Sequence, residues 1–210
     1  MLNTINLDEL IVRLTPWLQG PERRLVALAG PPGAGKSYIA KRLFDALSSI
    51  SPGHVAILPM DGFHYDDELL SERGDLGRKG APHTFDVDGL HVMLQRITAD
   101  DGTAVAVPVF DRTREISRAA ARMIGPEVRL VIVEGNYLLL DDPQWVTLSD
   151  QMDLRVFIQV PEHTLEQRLG QRWTHLPDAQ RRAKLEGNDL PNMRLVVQQS
   201  SIPDFYLYNV

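Results

Sequence analysis

"GPPGAGKSYIA", residues 30–40, follows the apolar run Leu25-Val26-Ala27-Leu28-Ala29 and leads into a helix-patterned stretch. It matches G-x-x-x-x-G-K-[ST] at Gly30, Gly35, Lys36 and Ser37. Backbone N–H groups wrap a phosphate only where no Cβ intervenes, and the start of the following helix aims about half a positive charge at the same point. A buried strand before the loop and a helix after it are the context this mechanism demands. Gly30, Gly33, Ala34, Gly35, Lys36, Ser37 and Tyr38 are therefore the expected cradle for the phosphates of ATP. Lys36 would reach the β and γ phosphates, and the Ser37 hydroxyl would bind Mg²⁺. The plainer alternative is a tight strand-to-helix turn carrying a solvated lysine.

Working outward, four short runs rich in apolar and β-branched residues lack the alternation of a half-wet strand: 25–30, 54–60, 129–135 and 154–160. Such runs suit strands buried on both faces of a parallel sheet. "DFYLYNV", 204–210, is a candidate fifth strand. Helix-like segments lie between them at 36–49, 87–98, 113–124 and 161–173, the last opened by Pro161. An amphipathic helix over 7–18, closed by Pro21, precedes the main fold. This alternation predicts a doubly wound α/β sheet in one domain spanning 1–210. Two segments fit the alternation poorly. Residues 66–86, charged and carrying Gly74, Gly77 and Gly80, read as a long loop. Residues 172–192, basic and broken at Pro177, Gly187 and Pro191, read as a surface segment able to move.

The 210 residues are 43% hydrophobic and 24% charged, an ordinary globular composition, and one core is the expectation. The formal net charge of −6 offers no broad attraction for nucleic acid, so any polyanion must be gripped locally. The chain has no cysteine, which removes disulfides, thiolate metal sites and a cysteine nucleophile together. "MLNTINLDELIVRL" lacks a basic lead and is interrupted by Asp8 and Glu9, so it is not a secretory signal. No apolar run approaches the roughly 20 residues of a membrane span. The expectation is a soluble cytoplasmic protein without nucleic-acid or membrane partners, with a homodimer as a candidate assembly.

Asp61, in "PMDGFHYDD", stands just past the C-terminal edge of the second strand, where ligand sites of α/β sheets form. Three roles suit it: a base accepting the proton of a hydroxyl that attacks the γ-phosphate, an outer ligand of Mg²⁺, or a helix cap. Glu134 ends the third strand after four apolar residues, and a buried carboxylate needs a partner, here the magnesium site either directly or through water. Arg168 and Arg172 share one helix face. They either close over the nucleotide and neutralise transferring charge or form a solvated basic face. Arg181 and Arg182 are weaker candidates of the same kind. His83, His91, His163 and His175 show no metal-ligand spacing. Trp17, Trp145 and Trp173 read as packing residues, with Trp173 near the moving segment. Phe85 and Phe110 are either an apolar wall of the acceptor site or core.

"MDGFHYDD", "RKGAPHTFD", "VPVFDR", "VIVEGNYLLL" and "GNDLPN" behind an arginine-bearing lid together resemble the uridine kinase, pantothenate kinase and phosphoribulokinase family of P-loop kinases. Within it the likeness is greatest to bacterial proteins named as fructose transport-system kinases, a name that itself rests on likeness. The resemblance runs from about residue 7 to the end of the chain. It implies a P-loop NTPase three-layer sandwich, with a mostly parallel five-stranded sheet and helices on both faces. It further implies ATP and Mg²⁺ as cofactors and a small-molecule hydroxyl acceptor. Asp61 would be the base, and Glu134 and Ser37 would stand at the metal. Arg78 and Lys79 would face the acceptor, with His64, Tyr65 and Arg112 as further contacts. Arg168 and Arg172 would belong to a mobile lid at about 172–192, residues 66–86 would be the substrate-side loop, and Lys36, Arg168 and Arg172 would spread the charge of transfer. Two departures stand out: the longer nucleoside-binding hairpin of uridine kinases has no match in 60–112, and the chain is shorter than pantothenate kinases. Both favour a sugar or small polyol over a nucleoside or pantothenate. N-K-x-D for guanine and an L-S-G-G-Q signature are both missing, which argues against a GTP switch and a transporter ATPase. A non-catalytic nucleotide-binding module remains as a rival, and it would have no need of Asp61.

Overall fold

A computed structural model of the chain describes residues 3–209. Asn6 and Glu9 cap each other's backbone N–H groups at 2.9 Å and open α1 (Leu7–Leu14), which buries Leu10 and Leu14. Pro16 then tightens the chain into a 3₁₀ turn, Thr15–Gln19, so the regular helix stops short of residue 18. There follow β1 (Arg24–Ala29), α2 (Lys36–Ile50), β2 (Val55–Pro59), α3 (Asp67–Glu72), α4 (Val87–Ala99), β3 (Val105–Asp111), β4 (Ile116–Ile124) and β5 (Leu130–Gly135). The chain continues through α5 (Val146–Ser149), β6 (Leu154–Gln159), α6 (Glu162–Arg172), α7 (Asp178–Lys184), α8 (Leu190–Gln199) and β7 (Phe205–Tyr208).

Five strands form one sheet in the order β2-β5-β1-β6-β7, every pair parallel. β5 is buried along its whole length, as its unbroken apolar run requires. One face of the sheet packs α1, α2 and α6 through Leu10, Leu14, Leu43, Leu47, Leu165 and Leu169. The other packs α4 with Trp145 and Tyr137 through Leu90, Leu94 and Ile97. The expected strands at 25–30, 54–60, 129–135 and 154–160 are all present; of the candidate at 204–210, residues 205–208 pair and Val210 lies outside the described residues.

Two expectations are corrected. Residues 113–124 are not a helix: Ile116–Ile124 is a strand, paired antiparallel with Val105–Asp111 in a separate two-stranded sheet. Asp111 Oδ1 accepts from the N–H groups of Thr113 and Arg114, closing the hairpin turn, and this pairing overrides the helix preference of the Ala- and Arg-rich stretch. Nor is 66–86 a featureless loop. Asp66 caps α3, Leu70 is fully buried, and two 3₁₀ turns follow at Leu76–Arg78 and Pro82–Thr84.

Register explains where the site lies. Glu134 pairs with Leu28 on one side and Pro59 on the other. The loop after Ala29, the turn after Pro59 and the end of β5 thus rise side by side from the C-terminal edge of the sheet. At the far edge, β7 is tied to β6 by Asp204, which accepts from the Arg155 backbone N–H at 2.8 Å and pairs with its guanidinium at 3.0 Å. These bonds hold the Asp204 carboxyl below its ordinary range, the guanidinium hydrogen bond contributing most. A carboxylate with a depressed folded-state pKa stabilises the fold above its ordinary pKa and loses that contribution as pH falls. Asp204→Ala is expected to lower the melting temperature by a few degrees near neutrality. The gap from wild type should close as pH falls below about 4, as followed by circular dichroism melts across pH.

Candidate active site

Gly33 and Gly35 take φ of +84° and +83°, so the loop turns into α2 through left-handed backbone that favours glycine. A Cβ on Gly35 would also stand 2.5 Å from Asn209 Nδ2. Lys36 opens α2 and is only 9% exposed, its ammonium donating to Pro31 O at 3.1 Å. Burial pulls its pKa down to about 8, against the opposing pull of the Glu134 and Asp61 charges. A desolvated ammonium on a bare backbone cradle suits an anionic ligand such as a polyphosphate. Ser37 Oγ donates to Glu134 Oε1 at 3.1 Å, and Glu134 is 7% exposed. Burial raises the Glu134 pKa, with the Asp61 charge pushing the same way. A hydroxyl and a carboxylate oxygen together are hard donors, the kind that suit Mg²⁺ with part of its water shell retained.

Asp61 lies in the 3₁₀ turn Met60–Phe63 beyond β2, and its Oδ2 pairs with Arg112 Nη2 at 2.5 Å. Arg112 comes from the β3–β4 turn, and Ser117 on β4 donates to Gly62 O, so the hairpin and the Asp61 turn are fastened together. His64 packs its ring against Phe85 and Phe110 at centroid distances of 4.0 and 4.7 Å. Its Nδ1 lies 2.8 Å from Asp61 O, and a carbonyl only accepts, so Nδ1 carries the proton. Burial lowers the His64 pKa, favouring this neutral ring. Lys79 is held by Asp67 Oδ1 at 2.5 Å and Glu115 O at 2.6 Å, with its ammonium over the Phe110 ring.

Gly33, Gly35, Lys36, Ser37, Tyr38, Asp61, His64, Lys79, Arg112, Glu134 and Arg172 all line one cleft of about 250 Å³. Phe85 and Phe110 stand in its wall, and Phe85 belongs to the core as well. Gly30 and Ala34 are buried and do not line the cleft. Tyr65 is turned away, stacked beneath Arg73. Arg78 donates to Gly187 O at 2.7 Å and to Asn192 Oδ1 at 3.3 Å, tying its turn to the 172–192 segment instead of facing the cleft. Arg168 reaches the outside of the glycine loop, donating to Gly33 O at 3.3 Å.

Several residues in or beside the cleft are not among the site residues expected from the sequence. The Trp173 ring is approached by the Arg172 and Lys184 cations, and its indole N–H donates to Asp189 Oδ2 at 2.6 Å. Asn188 donates to Lys79 O at 2.7 Å and accepts from Asn192. Tyr137 donates to Gly80 O at 2.6 Å, and burial raises its pKa, so the phenol remains a donor. "EGNY" and "GNDLPN" were visible as stretches, but which of their side chains turn inward depends on the fold.

No protein-family model matches the chain. A protein of Schizosaccharomyces pombe named "putative uridine kinase" is 31% identical over 212 residues, covering 95% of this chain and 89% of that one. The crystal structure of a "putative fructose transport system kinase" from Silicibacter sp. TM1040 superposes with a TM-score of 0.87 at 40% identity, covering 96% of this chain and 98% of that one. The chain belongs to the uridine kinase and pantothenate kinase family of P-loop kinases. Two longer relatives match only in part. The match spans 62% of the uncharacterized Escherichia coli protein YggC, at 40% identity, and 48% of the pantothenate kinase of Vibrio vulnificus, at 30% identity. The five-stranded parallel sheet and the loop between β1 and α2 are those of a P-loop kinase. Among the described residues no helix is long and apolar enough to cross a membrane.

In this P-loop kinase, Gly35→Ala sets a Cβ against Asn209 and forces left-handed backbone on a residue that disfavours it by about 1–2 kcal/mol. ADP binding measured by titration calorimetry is expected to weaken at least about tenfold.

Proposed function

We propose that the protein transfers the γ-phosphoryl group of ATP to a hydroxyl of a sugar or sugar-like metabolite. The carrying observation is that the Lys36 ammonium, the Ser37–Glu134 oxygen pair and the Asp61 carboxylate line a single cleft. When bound, Mg·ATP would supply the phosphoryl group and a divalent charge to offset that of the phosphates. Ser37 and Glu134 would hold the metal. Lys36 would take up the charge of the phosphates and Arg172 that of the transferring group. Arg112 fixes one oxygen of Asp61, and Oδ1, which has no protein partner among the described residues, would accept the proton of the acceptor hydroxyl. Lys79 and His64, which line the same cleft, would be contacts for the acceptor.

The segment 172–192 serves as a lid in this mechanism. α7 buries none of its residues, so it can swing without breaking a core. The cleft falls below the roughly 300–1,000 Å³ of common ligand pockets, so admitting two substrates calls for such movement. Closure then keeps water, a competing acceptor, away from the phosphoryl group. A supply of ATP suits a cytoplasmic setting.

A sugar-sized acceptor is supported by the small, largely polar cleft and by the likeness to the Silicibacter protein. One observation favours a nucleoside instead. A hairpin does flank Asp61, at β3–β4, and it brings Phe110 beside the cleft, where a base could stack. The lack of a hairpin match in 60–112 thus does not by itself weigh against a nucleoside. An ADP-release screen with Mg·ATP over sugars, polyols, nucleosides and ribosides decides between them. Turnover with nucleosides alone would overturn the sugar assignment.

Asp61→Asn is expected to cut turnover by about 10²–10⁴ while leaving ADP affinity within about twofold. Unchanged turnover would remove Asp61 as the base, and no turnover by wild type with any acceptor would favour a non-catalytic nucleotide-binding module.

A further inference from the structure

Asn209 follows β7 by one residue and lies outside every motif of the site. Its backbone N–H donates to Gln159 O at 3.1 Å, extending the β6–β7 pairing by one step. Its side chain reaches the glycine loop and meets Ala34 O at 2.8 Å. Because a carbonyl can only accept, the amide nitrogen is the atom that faces it. That nitrogen occupies the space a Cβ on Gly35 would need. One peptide earlier, Arg168 holds Gly33 O in the same way.

In a planar trans peptide the C=O and the N–H point in opposite directions. Fastening Ala34 O to Asn209 therefore turns the Gly35 N–H to the other side of the loop. Among the described residues no acceptor takes that N–H, and Gly35 lines the cleft. We infer that Asn209 is a positioning residue for the phosphate cradle: it holds the Ala34–Gly35 peptide so that its N–H presents to a bound phosphate, without touching the nucleotide itself. Position 35 must then lack a side chain for two reasons, its backbone conformation and the place taken by the Asn209 amide. The inference rests on residues 30–37 being a phosphate cradle, as proposed above.

The test uses ADP titrated calorimetrically into wild type, Asn209→Asp, Asn209→Ala and Asp204→Ala, with melting temperatures measured on the same samples. Asn209→Asp keeps the shape but sets a carboxylate against the Ala34 carbonyl, and should weaken ADP binding about tenfold or more. Asn209→Ala should weaken it roughly three- to tenfold. Asp204→Ala, which loosens β7 without reaching the loop, should lower the melting temperature and leave ADP affinity within about twofold. ADP affinities of both Asn209 variants equal to wild type would overturn the inference. So would losses in all three variants that simply follow their melting temperatures. Failure of wild type to bind ADP would instead strike the phosphate cradle itself, and the role of Asn209 with it.

Discussion

A strand buried on both faces of a sheet has to become a helix within six residues while keeping its N–H groups bare, and that constraint governs the molecule's active edge. Left-handed backbone at Gly33 and Gly35 meets it, but such a loop has little hold of its own. It is held from outside: Arg168 takes one carbonyl and Asn209 the next, while the Lys36 ammonium takes that of Pro31 from within. Elements far apart in the chain, α6 and the end of β7, thus converge on two successive carbonyls of one short loop. The parallel sheet makes this convergence available, because all its strands end at the same edge.

The charge pattern follows the same economy of placement. The chain is acidic overall, with a net charge of −6, yet the cleft gathers Lys36, Lys79, Arg112, Arg172 and Lys184. Most of these cations already have partners: Asp61 for Arg112, Asp67 for Lys79, and the Trp173 face for Arg172 and Lys184. Lys36 differs in having only a carbonyl as hydrogen-bond partner, and burial lowers its pKa against the pull of the Glu134 and Asp61 charges. Local grip of this kind lets an acidic protein hold a polyanion without a basic surface.

The parallel strands, the glycine loop and the positions of Asp61 and Glu134 were legible in the sequence because each depends on a local pattern: an unbroken apolar run, a fixed motif spacing, an acid closing a strand. The β3–β4 hairpin was not. "ISRAAARMI" has helix-forming composition, and only its pairing with β3 makes it a strand, which is a tertiary fact. Residues 66–86 look loop-like through their glycines, although Asp66 and the buried Leu70 organise a helix there. Within the site, residue types were readable and directions were not. Arg78 and Lys79 are neighbours in "RKG", yet one bonds the 172–192 segment and the other enters the cleft. Asn209 stands alone in sequence, and nothing but the fold brings it to Ala34.

The three tryptophans are divided among very different surroundings. Trp145 is sealed in the interior, Trp17 lies beneath Arg24 beside the first helix, and Trp173 alone of the three borders the cleft, its indole N–H held by Asp189 and its ring near two cations. Movement of the proposed lid would change the polarity and charge around this one indole, so intrinsic emission would report it without a label.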